Sequence, residues 1–162
     1  MIYVTLGTMF LGFDRLVRKM DAIAAATGER VIIQTGLSKV LPQHAEHFDF
    51  RPHDAVMDLN CEARLVVAHA GIGVTLDALR SGTPFILVPR LKRFNEHMND
   101  HQLDLARAVE KRDWGKMVLE VDELDALCAA PPAAPKDYAP DSERLVEAVR
   151  GFIQRVADEK RR

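Results

Sequence analysis

The sequence predicts an α/β fold built on a doubly wound parallel sheet of the Rossmann-like kind. Short apolar runs alternate along the chain with segments whose apolar residues recur at helical spacing, the pattern of repeated strand–helix units. Two of these runs are followed at once by a glycine, Gly7 and Gly36. Because parallel sheets bind ligands beyond the carboxyl ends of their strands, we expect a binding crevice at that edge.

The clearest strand–helix unit covers residues 65–84. An apolar run ends in His69, Gly71 and Gly73 follow, and an apolar pattern of helical period then continues to Gly82. Glycines let the backbone approach a ligand closely, and the start of a helix presents free N–H groups and the positive end of its dipole. This unit therefore predicts an anion site, most simply for phosphate.

Asp77 lies within the same predicted helix. A carboxylate is a poor phosphate ligand, but it accepts hydrogen bonds from ribose hydroxyls. A phosphate site beside a ribose site predicts a nucleotide.

The segments before this unit show the same pattern of a buried strand followed by a glycine. A buried strand is followed by Gly7 and Thr8, and a second strand by Gly36. In order, we predict a strand over 2–6, a helix over 13–27, a strand over 30–35, a short strand over 48–50 and a helix capped by Asp54 that ends near Ala63.

The elements after the unit complete one domain over residues 1–128. We predict a strand over 85–88, a helix over 96–111, a strand over 117–119 and a brief helix from Asp122 to Leu127. A proline-rich connection over 129–140 then leads to an amphipathic helix over 141–162. Its apolar stripe suits packing on this domain or on a partner subunit equally well.

Composition excludes several classes of protein. The 162 residues, 48% of them hydrophobic, suffice for one domain, and no run is long and apolar enough to cross a bilayer. A formal net charge of −2 argues against a nucleic-acid binder. Cys61 and Cys128 match no metal or redox spacing, so we expect reduced packing residues. Met1 leads directly into the first strand, so we expect no signal peptide and a cytoplasmic location.

His97 and His101 lie four residues apart, on one face of the predicted helix. A metal ion uses such a spacing, but the glutamate of the metalloprotease arrangement is absent and no third ligand is evident. We therefore expect no metal site and no cofactor.

Seven ordered motifs over residues 1–112 together resemble the C-terminal domain of glycosyltransferase family 28. The likeness is to its single-domain members, which are the soluble subunit of the eukaryotic dolichol-linked N-acetylglucosaminyltransferase and bacterial polysaccharide-synthesis relatives of the PssE kind. The motifs are Val4–Thr8, Phe13–Val17, Gln34–Gly36, His69–Gly73, Gly82–Pro84, Val88–Arg90 and Glu96–Gln102.

The resemblance implies one half of a GT-B enzyme, the nucleotide-sugar-binding domain of an inverting, metal-independent transferase. It implies that His69 and the turn at Gly71 and Gly73 face the diphosphate, and that Asp77 faces the ribose. The donor sugar would meet His101 and Gln102, and Gly7 and Thr8 would line the cleft from the opposite side. The chain has Val74 where the family often has a phosphate-binding serine, so Thr75 or backbone amides would take that role.

A GT-B active site lies between two similar domains, and 162 residues suffice for one. The resemblance therefore implies a UDP-sugar donor and a separate, membrane-anchored subunit that brings a polyprenyl-linked acceptor and recruits this chain to the inner face of the membrane. The surface meant for that partner would also allow the isolated chain to associate with itself.

The catalytic base is left open among Asp14, Glu96 and His97, or a group on the partner half. An alternative function is a non-catalytic nucleotide-sugar-binding or stabilising partner protein, for which Val74 and the half-sized chain argue. A dinucleotide oxidoreductase is excluded, because Gly71 and Gly73 lack the third glycine of that fingerprint and follow a late strand.

Overall fold

The computed structural model describes residues 1–136 and 138 of the chain. Six parallel strands form one sheet in the order β3-β2-β1-β4-β5-β6. This confirms the predicted doubly wound parallel sheet. The strands are β1 (Ile2–Thr5), β2 (Val31–Gln34), β3 (Glu46–Phe48), β4 (Leu65–His69), β5 (Phe85–Val88) and β6 (Lys116–Met117).

Helices connect the strands and cover both faces of the sheet. Left-handed glycines end the first and third helices, with Gly28 at φ 66° and Gly82 at φ 68°. The helices are α1 (Asp14–Thr27), α2 (His53–Glu62), α3 (Ile72–Ser81), α4 (Gln102–Glu110) and α5 (Leu124–Ala129), with 3₁₀ turns at Lys92–Phe94 and Val121–Glu123.

Strand order reverses between β1 and β4. The chain runs outward from β1 through β2 to β3, then returns to place β4 against the other side of β1. Ile2 pairs with Val31 on one side and with Leu65 on the other. Such a switch point opens a crevice beyond the carboxyl ends of the two central strands.

The core lies on both faces of the sheet, and every residue of β1, β2, β4 and β5 is buried. Ile2 and Val4 pack with Leu16 and other residues of α1, whereas Tyr3 packs on the opposite face with residues of α2, α3 and α4. Burial on both faces explains why these strands read as continuous apolar runs.

Some element boundaries differ from the predictions. The third strand lies over Glu46–Phe48, two residues earlier than expected, and the last lies over Lys116–Met117. Pro52, and not Asp54, occupies the N-cap of α2. Asp122 lies inside a 3₁₀ turn and does not cap α5.

The largest correction concerns the helix predicted over 96–111, which begins only at Gln102. Asn95 has a left-handed φ of 56°, and two acidic side chains bind the backbone of the preceding loop. The Glu96 carboxylate accepts a hydrogen bond from the Leu91 N–H at 3.2 Å, and Asp100 accepts one from the Lys92 N–H at 2.8 Å. Carboxylates that bond loop amides compete with helix formation.

His97 and His101 therefore do not share a helical face. Their rings meet edge to face across the loop instead, with centroids 4.6 Å apart.

The remaining predictions concern the two cysteines, the C-terminal segments and membrane-spanning helices. Cys128 is buried, whereas Cys61 is exposed and is not a packing residue. Of the proline-rich connection, residues 131–136 and 138 form no helix or strand. The amphipathic helix predicted over 141–162 lies outside the described residues. Within the described part of the chain, no helix has the length and apolar character needed to cross a membrane.

Candidate nucleotide-binding site

A cavity of about 460 Å³ lies beyond the carboxyl ends of β1 and β4, at the switch point of the sheet. Six of the nine residues predicted to bind a nucleotide sugar line it, although they come from two separate stretches of sequence, 7–8 and 69–77. They are Gly7, Thr8, His69, Gly71, Gly73 and Asp77.

The His69 ring lies between two glycines. A Cβ atom added at Gly7 would collide with Cε1 of the ring, and one added at Gly71 would collide with Nε2. Gly7 also has a φ of +69°, which other residues rarely adopt. Glycine is therefore required at both positions to make room for the His69 ring, whether or not a ligand is bound.

His69 is only 9% exposed, and burial lowers its pKa to about 4, with the positive charge of Arg90 acting in the same direction. Its Nδ1 is buried and has no hydrogen-bond partner within the described residues. At neutral pH this imidazole is uncharged, so it offers a ligand a hydrogen bond and no positive charge.

The N-terminus of α3 faces the cavity beside His69. The first intrahelical bond runs from the Thr75 N–H to the Gly71 carbonyl at 3.0 Å, which leaves the preceding amides free for a ligand. The N-cap residue Gly71 has no side chain to cap these amides, and a Cβ atom at Gly73 would meet no atom within 4 Å outside its chain neighbours and its own helix. Bare amides at the positive end of a helix are suited to an anion.

Thr75 is not available for that anion. It is 1% exposed, and its hydroxyl donates a hydrogen bond of 2.8 Å to the Gly71 carbonyl. Of the two predicted replacements for a phosphate-binding serine, the structure brings only the backbone amides to the cavity.

Asp77 projects into the cavity from the second turn of α3 and is 9% exposed. The Nε2 atom of His53 lies 3.2 Å from its Oδ1 and 3.1 Å from its Oδ2. The sequence did not single out His53, which follows the irregular segment before α2.

Other residues missed by sequence reasoning lie deeper in the cavity or at its mouth. On the floor, the Thr5 hydroxyl donates a hydrogen bond of 2.7 Å to Oε1 of Gln34. Arg51 lies at the mouth with its guanidinium 4.2 Å from the centre of the Phe48 ring. Thr5 and Gln34 are the last residues of β1 and β2, so their position at the carboxyl ends of two predicted strands could have marked them as candidate site residues. Nothing in the sequence around Arg51 marks it in a similar way.

Two of the three candidate bases hold loops together. Oδ1 of Asp14 accepts hydrogen bonds from the N–H groups of Lys39 at 2.9 Å and Val40 at 3.3 Å. Glu96 is 4% exposed and pairs with Nε of Arg15 at 2.7 Å. Both residues line a different cavity, of about 580 Å³.

The residues predicted at the donor sugar, His101 and Gln102, do not line the 460 Å³ cavity. His101 is exposed. Gln102 is 4% exposed and its Oε1 accepts a hydrogen bond from the Arg90 N–H at 3.0 Å. His97 is half-buried, and its Nδ1 accepts a hydrogen bond from the Asn99 N–H at 3.3 Å. Its pKa is lowered, mainly by burial and then by the charges of His101 and Arg90.

Arg90 ties the loops of this edge together. It is 1% exposed, and its guanidinium donates hydrogen bonds to the carbonyls of Leu6, Leu11 and Gly12 at 2.8 to 2.9 Å. Burial lowers its pKa to about 10, an effect that the Glu96 charge opposes. Arg90 thus stays charged at neutral pH and holds the loop that carries Gly7 and Thr8.

Among residues 1–136 and 138, no group of three or more His, Cys, Asp or Glu side chains is arranged to hold a metal ion. The charged and polar groups of the cavity are those described above.

The family model of the glycosyltransferase family 28 C-terminal domain matches residues 1–156. The chain belongs to this family. Human UDP-N-acetylglucosamine transferase subunit ALG13 is 33% identical to it over 121 residues, which are 68% of this chain and 10% of the human protein. The chain thus spans about a tenth of the length of that relative.

Solved structures show the same fold. The calicheamicin glycosyltransferase CalG4 matches with a TM-score of 0.63 and 20% identity, over 96% of this chain and 44% of that enzyme. The solution structure of ALG13 matches with a TM-score of 0.58 and 19% identity, over 89% of this chain and 93% of that one. This family member therefore has the fold of one half of a GT-B glycosyltransferase.

Proposed function

We propose that this chain binds the nucleotide-sugar donor of an inverting glycosyltransferase and forms the donor half of its active site. The observation that carries the proposal is a single cavity in which the bare N-terminus of α3 stands beside the Asp77 carboxylate. Helix amides suit a diphosphate and a carboxylate suits ribose hydroxyls. The two groups together match a nucleoside diphosphate.

The proposed donor is a UDP-sugar, and the proposed sugar is N-acetylglucosamine. The support is the name of the human and mouse relatives, UDP-N-acetylglucosamine transferase subunit ALG13, which are 33% and 32% identical to this chain. The family does not by itself select among UDP-sugars, so the donor has to be measured.

In the proposed reaction, an acceptor hydroxyl attacks the anomeric carbon of the sugar, and the bond from that carbon to the diphosphate oxygen breaks. The free amides at the start of α3 stabilise the negative charge that develops on the departing diphosphate. Neutral His69 adds one hydrogen bond. The acceptor proton passes to a general base.

His97 is the base that we favour among the three candidates. Asp14 and Glu96 accept hydrogen bonds that hold loops in place, and Glu96 also pairs with Arg15. His97 has a lowered pKa and is thus neutral at pH 7, and its Nδ1 would exchange a long bond of 3.3 Å with the Asn99 N–H for the acceptor hydroxyl. A base on the acceptor half is the remaining alternative.

We further propose that a separate, membrane-anchored subunit supplies the other GT-B half and brings a polyprenyl-linked acceptor to the inner face of the membrane. The distribution of apolar surface supports a second half at the ligand edge. Six of the seven large hydrophobic side chains that are exposed in the described part of the chain follow the carboxyl end of a strand: Phe10, Leu37, Phe50, Ile72, Phe94 and Met98. The seventh, Leu41, lies beside the second half of α1. A partner that closed the cleft would cover the six.

A second candidate function is a non-catalytic nucleotide-sugar-binding partner. The engagement of Asp14 and Glu96 in loop contacts favours it, because it removes two of three possible bases from this chain. Turnover by the reconstituted pair that His69→Ala abolishes without loss of assembly would reject this alternative.

The test is calorimetric titration of the 162-residue chain with UDP, UDP-N-acetylglucosamine and UDP-glucuronic acid. We expect Asp77→Ala to weaken binding of all three about tenfold, because a charged hydrogen-bond acceptor for the ribose is lost. Asp58→Ala is the matched control, since Asp58 is exposed on α2 and does not line the cavity. Absence of uridine-nucleotide binding at high micromolar concentration would contradict the proposal for this chain alone.

A further inference from the structure

We propose that Gln34 is a specificity-determining residue of the donor site, whose carboxamide pairs with the polar edge of the nucleobase. The site would then bind uridine nucleotides in preference to cytidine nucleotides. This inference rests on the proposed function and deepens it, because it concerns how the same cavity recognises the base of the donor.

Gln34 lies on the floor of the cavity with one end of its carboxamide held in place. The residue is 5% exposed and lines the cavity, and its Oε1 accepts a hydrogen bond from the Thr5 hydroxyl at 2.7 Å. Within the described residues, Nε2 of Gln34 has no acceptor, and it is not among the enclosed polar atoms that lack a partner. The Thr5 bond therefore turns the amide nitrogen, with its two N–H donors, toward the open cavity.

Gln34 lies on the side of the cavity away from the start of α3. Side chains of a strand alternate between its faces, so Gln34 shares the face of Ile32, on which α2 and α3 pack. Gln34 is in register with Thr5, and Thr5 with Ala68 of β4. Two strand spacings of about 4.8 Å each thus separate Gln34 from β4, whose end leads into α3. With a diphosphate at α3 and a ribose at Asp77, the base is the part of a nucleotide left for this side.

The cavity also offers apolar surface for a flat ring. Val56 of α2 and Val74 of α3 line the same cavity as Gln34. A nucleobase has apolar faces and a polar edge, and pockets that combine apolar walls with a few placed polar groups suit such a ligand. A sugar or a phosphate, which is polar on every side, matches these walls less well.

The carboxamide of Gln34 matches uracil and mismatches cytosine. Its Nε2 donates, and its Oε1 keeps a second lone pair beside the one that Thr5 uses. Uracil presents a carbonyl oxygen next to a ring N–H, and this edge takes both bonds. Cytosine presents an amino group next to a ring nitrogen that accepts, so donor would meet donor and acceptor would meet acceptor. Buried polar groups left unpaired make such a mismatch costly.

The experiment measures the binding of UDP and CDP by calorimetry to the wild-type chain, Gln34→Met and Gln34→Glu. We expect the wild type to bind UDP about tenfold more tightly than CDP, and Gln34→Met to lose that preference through weaker UDP binding. Gln34→Glu keeps an acceptor for the Thr5 hydroxyl but offers uracil no donor. It should reverse the preference, because a carboxylate accepts from the amino group of cytosine.

Gln43→Met is the matched control, since Gln43 is exposed and does not line the cavity. We expect it to keep the preference of the wild type. The readout is the ratio of two affinities of the same folded variant, so a loss of stability in Gln34→Met does not imitate the expected result.

The outcomes separate the two proposals. If the wild type binds neither nucleotide, the proposed function fails for this chain and the inference fails with it. If the wild type binds UDP and CDP equally, or if Gln34→Met keeps the preference for UDP, only the inference is overturned. Equal loss of affinity for both nucleotides assigns Gln34 a structural role. Weaker binding of UDP-N-acetylglucosamine with unchanged binding of UDP assigns it to the sugar, and either result also overturns the inference.

Discussion

Gly71 and Gly73, which follow His69, are glycines for two different reasons. Gly71 has a φ of −92°, which any residue adopts, yet a methyl group there would collide with the imidazole. Gly73, two residues later in the helix, has open space around its missing side chain. One glycine is required by the fold, and the other is free to serve a ligand.

Substitution separates these roles. We expect Gly71→Ala to lower the free energy of unfolding by about 2 kcal/mol, because the His69 ring must move. Gly73→Ala should leave stability unchanged or raise it by up to about 1 kcal/mol, since alanine favours a helix. It should nevertheless weaken UDP binding by covering the amides of α3. Urea denaturation of both variants measures the first effect, and equal stabilities would contradict it.

Buried His69 makes stability depend on pH in a predictable direction. Its pKa is lowered to about 4 in the folded chain, from an ordinary value near 6.5. The unfolded chain therefore binds more protons between these values, and stability falls as pH decreases from about 6.5 toward 4. The full shift corresponds to about 3 kcal/mol.

The pH effect is measured as the slope of unfolding free energy between pH 5 and 7, a range that lies above the ordinary pKa values of Asp and Glu side chains. We expect His69→Asn to flatten that slope. A variant with the slope of the wild type would show that another group carries the pH dependence.

At the scale of elements, Arg90 joins the loop after β1 to the loop after β5. Removing its guanidinium would leave the carbonyls of Leu6, Leu11 and Gly12 without their buried donor. We expect Arg90→Met to destabilise the fold by about 3 kcal/mol, because unsatisfied buried acceptors are costly. Denaturant titration tests this, with Arg93→Met as the control.

Arg93 suits that purpose because its side chain is 58% exposed and pairs with exposed Glu120. Surface ion pairs contribute about 1 kcal/mol or less, so Arg93→Met should change stability little. A loss from Arg90→Met no larger than that of the control would contradict the role given to Arg90.

The position of a strand or helix end was predictable where a single local sequence pattern was sufficient to define it. Strands β1, β2, β4 and β5 and the ends of α1 and α3 follow from apolar runs and from Gly28 and Gly82. The start of α4 was not predictable, because the Glu96 and Asp100 carboxylates bond backbone amides of the preceding loop. These side-chain bonds form only because the loop after β5 turns back on itself, and the spacing of apolar residues contains no information about that turn.

At the scale of the whole molecule, the proposed function requires a second half that closes the cleft. We expect the pair reconstituted with an acceptor half to transfer sugar, and His97→Gln to lower its kcat at least a hundredfold with little change in KM for the donor. Glu96→Gln should instead lower stability and leave the kcat of the folded fraction near that of the wild type. Steady-state kinetics with donor and acceptor varied separately distinguish the two.

Unchanged turnover by His97→Gln would place the base on the acceptor half. If His97→Gln keeps the turnover of the wild type while every His69 variant abolishes sugar transfer, then this chain contributes the donor site and not the base.

The sequence by itself determined the parallel α/β fold, the edge of the sheet where the candidate site lies and six of the residues that line its cavity, because strands, glycine turns and helix starts are local patterns. Only the tertiary structure decided that His53 meets Asp77, that Thr75 turns inward, and that Asp14 and Glu96 bind loops. These outcomes depend on which donors and acceptors the fold brings within about 3 Å of each other, a distance at which hydrogen bonds form and which no spacing along the chain encodes.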